Sequence, residues 1–373
     1  MSSVVVLFER RELKRPQSAT PALLGYRMPA EWERHEATWI AWPHNRDDWP
    51  GKFQPIPFIY ADIVRHLARG EQVRIIVNDA SHQRSAERTL KHAHVQLDRV
   101  EFFRWKTDRV WTRDSGPIFV TRDKNPKLAI THWQFNGWAK YPNYKKDEKL
   151  PALIGRKLGL ESWPPELKVN GKPRRAVLEG GSIDVNGRGT MLTTEECLLS
   201  DVQERNPGAT REQLEQMFAD YLGVTKTIWL GSGIAGDDTH GHVDDISRFV
   251  SPDTIVTAVE KNSSDPNHAP LQDNLQRLRS ATDQDGKRFK VIELPIPSPV
   301  WFRGQRLPAS YANFYIANAV VLVPTFNNLY DKAALSILGE LFPDRDVVGI
   351  YCGDFIWGLG AIHCATQQQP ATS

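Results

Sequence analysis

Three cysteines in 373 residues, at positions 197, 352 and 364, are too few for a disulfide framework. That scarcity excludes a disulfide-stapled secreted scaffold and makes a reducing cytosol the natural compartment. No apolar run approaches the ~18 residues that a membrane helix needs, so no membrane partner is expected. The opening VVVLF is followed by ERRELKR, whereas a secretory signal places its charge before a longer apolar stretch. Charge of one sign is also missing. The net charge is +2 and no long basic run occurs, which excludes nucleic acid as an expected partner. What is plentiful is tryptophan, with 12 residues that suit a pocket for flat or cationic groups.

The length exceeds that of a usual single core, so two domains or a large repeat fold is expected. Residues 1–25, rich in charge and then in Pro, Ser and Thr, read as a loose tail. Beyond them, helix and strand signals alternate. FIYADIVRHLARG spaces Ile59, Ile63 and Leu67 four apart, with Gly70 as the expected C-terminal stop. TREQLEQMFADYLG offers Thr210 and Gln213 as a capping box, an apolar face of Leu214, Met217, Phe218, Tyr221 and Leu222, and Gly223 as its end. Further helices fit SAERTLKHA, KLPALIGRKLG, LQDNLQRLRSA and AALSILGEL. Strands fit QVRIIVND, TKTIWLG, FKVIELPI and DVVGIYCG. The class is α/β.

Between these units lie short strand pairs, each headed by a polar residue: Asp114, Glu179, His242, Asn313 and Cys364. The steps are 179−114 = 65, 242−179 = 63, 313−242 = 71 and 364−313 = 51 residues. Such spacing suggests a degenerate repeat in which every unit brings one residue to a common axis. Coincidence among α/β segments is the competing explanation.

Several heads carry chemistry. DDTHGHVDD, residues 237–245, puts two histidines and four acids in nine positions. On a strand, His240, His242 and Asp244 would share a face, either as metal ligands or with His242 as a general acid/base. A polar loop entering a strand is the bland alternative. Asp114 in WTRDSGP reads as a surface turn or a ligand-facing acid, and Glu179 in LEGGS reads as a turn acid or one beside a close backbone approach. Cys364, in GLGAIHCATQQQP, would be a core hydrophobe if taken alone. His363 beside it would point to the opposite face of a strand, which leaves a distant histidine such as His242 as its partner. Carboxylates would raise a thiol's pKa, so their number makes sense only for a cationic substrate. A guanidinium matches carboxylates in bidentate pairs and would help form the thiolate.

RMPAEWERHEATWIAWP, WTRDSGP, FNGW, LEGGSIDVNGRGT, DDTHGHVDD and IHCATQQQP, in this order, resemble the agmatine deiminases and the wider bacterial peptidylarginine-deiminase-like group. The resemblance spans about residues 26–370. It implies a five-bladed α/β propeller of ββαβ modules (the pentein fold) and favours one catalytic domain over residues 26–373. It implies a hydrolase of linear amidine C–N bonds, converting agmatine to N-carbamoylputrescine and ammonia, with no cofactor and no metal. Cys364 matches the nucleophile and His242 the acid/base. Asp114, Glu179 and Asp244 match the acids around the guanidinium, Trp111 an aromatic wall, and Gly358 and Gly360 glycines beside the substrate. The partner so implied is a small cationic guanidino compound; assembly into a homo-oligomer is left open. Departures stand at FNGWAK (commonly FNAWGG), at His240 (commonly Asn) and at GLGAIHC (commonly GGGNIHC). They fall in loops expected to read the far end of the substrate, so free arginine, peptidyl-arginine or another guanidine stands as the alternative. A metal hydrolase built on His240, His242 and Asp244, and a non-catalytic guanidine binder, are the rival classes.

Overall fold

The same unit recurs along the chain: two antiparallel strands, a helix, and a third strand parallel to the second. A computed structural model describes residues 19–372. In the second blade Ile118–Thr121 pairs with Leu128–Thr131, and helix Leu150–Leu158 leads to the parallel strand Glu161–Trp163. The third blade repeats this with Asp184–Val185, Thr190–Thr194, helix Arg211–Leu222 and Lys226–Leu230. The fourth uses Ser247–Ser251, Thr254–Val259, helix His268–Ser280 and Lys290–Pro295. The fifth uses Tyr315–Ile316, Val320–Thr325, helix Asp331–Leu341 and Asp346–Tyr351. The first blade closes the ring. Gln367–Pro370, near the C-terminus, lies antiparallel to His35–Ala41, which continues through parallel partners Gln72–Val77 and Val100–Arg104. The fold is a five-bladed α/β propeller, and the quasi-repeat in the sequence marks its blades.

Local chemistry explains most boundaries. Thr210 and Gln213 form the reciprocal capping box, and Gly223 ends that helix at φ 69°. Leu214, Met217, Phe218 and Leu222 are buried on its inner face, with Tyr221 half-buried at the margin. Gly70 does not act as the expected stop: helix Ile56–Leu67 ends on Ala68. A Cβ at Gly70 would lie 2.8 Å from Ala319, so glycine there serves close contact with the fifth blade. Of the expected tail, residues 1–18, including VVVLF, lie outside the described residues, and Ala22–Leu24 form a 3-10 turn.

The Gln triplet, for which local sequence offers no role, staples the closing strand. Gln367 Nε2 donates to Pro117 O at 2.7 Å, Gln368 Oε1 accepts from Arg113 Nη1 at 2.6 Å, and Gln369 Oε1 accepts from Trp39 Nε1 at 3.1 Å. All three are buried, and amides satisfy one another's neighbours there without bringing charge.

Glu31 is a second staple. Its carboxylate meets Arg248 at 2.8 Å, Arg113 at 3.2 Å, His363 Nε2 at 2.8 Å and the Ile316 amide at 2.8 Å. Burial pushes its carboxyl up, but Arg248, His363 and Arg113 together hold it well below the usual carboxylate range. Removing the charge would leave the buried Arg113 guanidinium without its carboxylate and Arg248 with Asp184 alone as an ion-pair partner. Glu31→Leu is expected to destabilise the protein by about 3–5 kcal/mol in denaturant unfolding; a loss under about 1 kcal/mol would show that the cluster is not a cross-brace.

Candidate active site

Each head of the quasi-repeat sits in a tight turn just before the inner strand of its blade, not on the strand itself. Asp114 lies in the short helix Thr112–Ser115, Glu179 precedes the 3-10 turn Gly180–Ser182, and His242 caps the turn Val243–Asp245. Turns let neighbouring residues point in directions a pleat forbids. His240 therefore does not share a face with His242. It has φ 63°, its Nε2 lies 3.1 Å from Ser200 Oγ, and its Nδ1 is 3.9 Å from Glu196. The rival metal set of His240, His242 and Asp244 is not assembled among the described residues.

The turns bring Asp114, Glu179, His242, Asp244 and Cys364 together. His242 Nδ1 lies 3.9 Å from Asp114 Oδ1 and its Nε2 3.8 Å from Glu179 Oε2. Both ring nitrogens are buried without a hydrogen-bond partner among the described residues, as are Glu179 Oε2 and Asp244 Oδ1. Buried polar atoms are rarely left so, and a cluster of them marks a place prepared for a ligand. Cys364 Sγ lies 3.7 Å from Asp244 Oδ2, and Asn313 Nδ2 donates to it at 3.2 Å. Gly181 makes the convergence possible. A Cβ there would lie 2.6 Å from His242 Nδ1, 2.9 Å from Asp114 Oδ1 and 3.0 Å from Asp244 Oδ2.

A second layer aims these groups. Arg205 Nε donates to Glu179 Oε1 at 3.1 Å, with both side chains fully buried. Trp138 Nε1 donates to Asp114 Oδ2 at 2.9 Å, turned there by left-handed Gly137, Trp138 and Ala139 within FNGWAK. Asp237 Oδ2 accepts from the Gly241 and His242 amides at 2.7 and 3.2 Å and so shapes the loop that carries His242. His363, whose strand direction seemed to remove it, lies in a turn where Nδ1 meets Asp244 Oδ2 at 2.7 Å and Nε2 meets Glu31 at 2.8 Å. It fixes Asp244 and makes no contact of its own with the thiol. Arg205 carries no sequence signal for the site; Trp138, Gly181, Glu31 and His363 fall within the motifs that carry the resemblance, but their roles around the acids were not legible there. Asn313 carried a signal, as a head of the quasi-repeat.

Electrostatics divides the cluster. Burial raises the Glu179 carboxyl, but Arg205 and His242 outweigh it and hold it down to about 2. Burial lowers His242, yet Asp114, Cys197 and Glu179 together raise it well above the ordinary imidazole value. Burial, reinforced by Asp244 and Glu179 against His242, raises Asp114 to about 6. The Cys364 thiol is pushed well up by burial and by Asp244, Asp245 and Asp114. Burial and the surrounding acids thus favour the neutral form of the Cys364 thiol, while the same acids favour the charged form of the His242 imidazole.

A pocket of about 220 Å³ opens onto this cluster, lined by Trp111, Asp114, Gly358, Gly360 and Cys364 among others, while Glu179, His242 and Asp244 lie buried behind it. Trp111 stacks on Phe355 with centroids 5.9 Å apart. Gly360 lies so close to Trp111 that a Cβ would approach it to 2.8 Å, and one at Gly358 would meet Trp49 at 2.6 Å. Leu359 between them has φ 66° and lines the pocket, a backbone that suits the glycine often found there and costs a leucine about 1 kcal/mol. Among the described residues, Glu179, Cys197 and His242 form one buried group of metal-ligand composition, with atoms within 4.8 Å of one another.

A family model described as Porphyromonas-type peptidyl-arginine deiminase matches residues 27–370. The chain belongs to that family. The agmatine deiminase of Pseudomonas syringae pv. tomato is 34% identical over 377 residues, covering 95% of this chain and 98% of that protein. That of Stutzerimonas stutzeri is 36% identical over 379 residues, with the same two coverages of 95% and 98%. The solved structure of the Enterococcus faecalis agmatine deiminase superposes with a TM-score of 0.85 at 31% identity, covering 96% of this chain and 100% of that one. The family match runs through all six motifs that carry the sequence resemblance. No helix among the described residues is long and apolar enough to cross a membrane.

Proposed function

We propose that the protein is an agmatine deiminase, hydrolysing agmatine to N-carbamoylputrescine and ammonia. The observation that carries this reading is Cys364 Sγ facing Asp114 and Asp244 in a pocket backed by Glu179 and His242, in a chain whose near-full-length relatives bear that name. Asp114, Glu179 and Asp244 supply anionic oxygens for the planar guanidinium. Its charge offsets the carboxylates that keep the thiol neutral, so substrate itself favours the thiolate. Sγ then attacks the guanidinium carbon, and His242, charged at rest, gives its proton to the departing ammonia. The neutral imidazole next takes a proton from water, whose oxygen displaces sulfur from the thiouronium carbon and leaves the ureido product. Asn313, donating to Sγ, steadies the thiolate. Trp111 walls the pocket, and Gly358 and Gly360 let backbone approach the substrate. The three free buried cysteines support action in a reducing cytosol.

The test is a panel of agmatine, arginine, a peptidyl-arginine and other guanidines, scored for ureido product and ammonia. Agmatine is expected to give the highest kcat/KM; a better turnover of arginine or peptide would overturn this substrate assignment. The pH profile is a further check. Asp114, raised to about 6, must be ionised to hold the cation, so kcat/KM is expected to fall as pH drops through about 6. On the alkaline side the rate declines as His242 loses its proton. A profile flat from pH 5 to neutrality would contradict these roles.

A further inference from the structure

The reaction centre occupies one end of the pocket, and the opposite wall carries polar groups that the chemistry does not use. Asp48 ends the turn Arg46–Asp48 and lines the pocket with a buried carboxylate. Its Oδ1 accepts from Arg109 Nη1 at 2.7 Å, while Oδ2 has no partner among the described residues. A buried carboxylate oxygen left unpaired is costly, so an acid that lines a pocket and keeps one is fitted to receive a donor from a ligand seated there. The position matches the far end of a short chain. Trp138 reaches Asp114 with its indole N–H, and the Arg109 guanidinium lies 5.9 Å from the same ring. Asp114 and Asp48 both line the pocket and are linked through the Trp138 indole and Arg109, so a ligand chain held at Asp114 runs past the indole toward Asp48.

We propose that Asp48 anchors the distal ammonium of the substrate, so that the pocket grips a dication by its two ends. The inference rests on the deiminase reading and specifies what that site selects. A distal carboxylate fits less well. Arg109 is the lone cation lining the pocket among the described residues; its Nη1 and Nη2 are engaged by Asp48 and by Asn143 at 3.3 Å and its face lies on Tyr141 at 4.1 Å, which leaves only the buried Nε without a partner. Asp238, the other rim acid with a fixed geometry, is already held by Lys140 and by Tyr141 Oη at 2.6 Å. Asp47 also lines the pocket but is exposed to water, so among the described lining acids away from the reaction centre Asp48 is the buried one that keeps an unpaired oxygen, Oδ2.

The experiment compares agmatine with butylguanidine, which has the same length and guanidinium but no amine. The ratio of their kcat/KM values cancels effects on the shared reaction centre. The wild type is expected to favour agmatine by roughly 10- to 100-fold, and Asp48→Asn to bring the ratio close to one. A wild-type ratio near one, or a ratio unchanged in Asp48→Asn, overturns the proposal, as does equal loss on both substrates. Should that variant not fold, the wild-type ratio against pH decides. Burial and Asp47 push the Asp48 carboxyl up to about 6 against Arg109, and Asp147 lies near enough to interact with it. Preference for agmatine should therefore shrink below pH 6, and a pH-independent ratio would refute the anchor. If neither compound yields a ureido product, the deiminase reading has failed instead. Calorimetric binding of agmatine against butylguanidine then still tests Asp48, with equal affinities refuting it.

Discussion

Cys364→Ala is expected to abolish ammonia release from agmatine, with a loss in kcat of about 10⁴-fold or more. Among the described lining residues Cys364 carries the one thiol, and its immediate neighbours, Asp244 and Asn313, cannot form the same covalent intermediate. Cys352 is buried elsewhere in the core, and Cys197 lies behind the pocket beside His242 and Glu179; both are outside the lining, so neither can substitute. The variant should retain agmatine binding, because the acids that hold the cation are untouched. Isothermal titration on the variant, run beside a single-turnover assay, separates these two effects. Undiminished turnover would remove covalent catalysis from the mechanism.

Gly181→Ala should cost activity almost as decisively while leaving the fold in place. Gly181 does not have a left-handed φ, so its backbone accepts alanine. The added methyl would instead lie within 3.0 Å of His242, Asp114 and Asp244 at once. Each must shift by several tenths of an ångström, and displacement of that order at a reaction centre costs about 10²-fold in rate. We expect kcat/KM to fall at least that far, with a thermal unfolding midpoint close to the parent's. Near-normal activity would mean that these three groups do not act together.

The two substitutions differ in how visible their targets were. Cys364 alone reads as packing; it became a candidate nucleophile through the distant acids and His242. Those heads were legible because a blade must place a residue at the same point of every repeat, and the repeat length is written into the chain. Gly181 was visible only as one of a glycine pair. Nothing local says which atoms crowd its missing side chain, because all three come from other turns or blades. His363 shows where pattern reading fails. A strand was expected through it, and strand geometry turned it away from the site. The chain forms a turn there, and the imidazole bridges Asp244 and Glu31.

The sequence by itself determined the α/β class, the positions of the main helices, the repeated units and which residues stand as candidates for the site. These depend on periodicity, capping and residue chemistry, which act over a few neighbours or recur at regular spacing. Only the tertiary structure decided which charges meet. Arg205 on Glu179, Trp138 on Asp114 and His363 on Asp244 join residues from 24 to 119 positions apart, and the fold leaves one oxygen of the pocket-lining Asp48 unpaired. Electrostatic and hydrogen-bond energies depend on distance and burial in space, and neither quantity exists until the blades close around their axis.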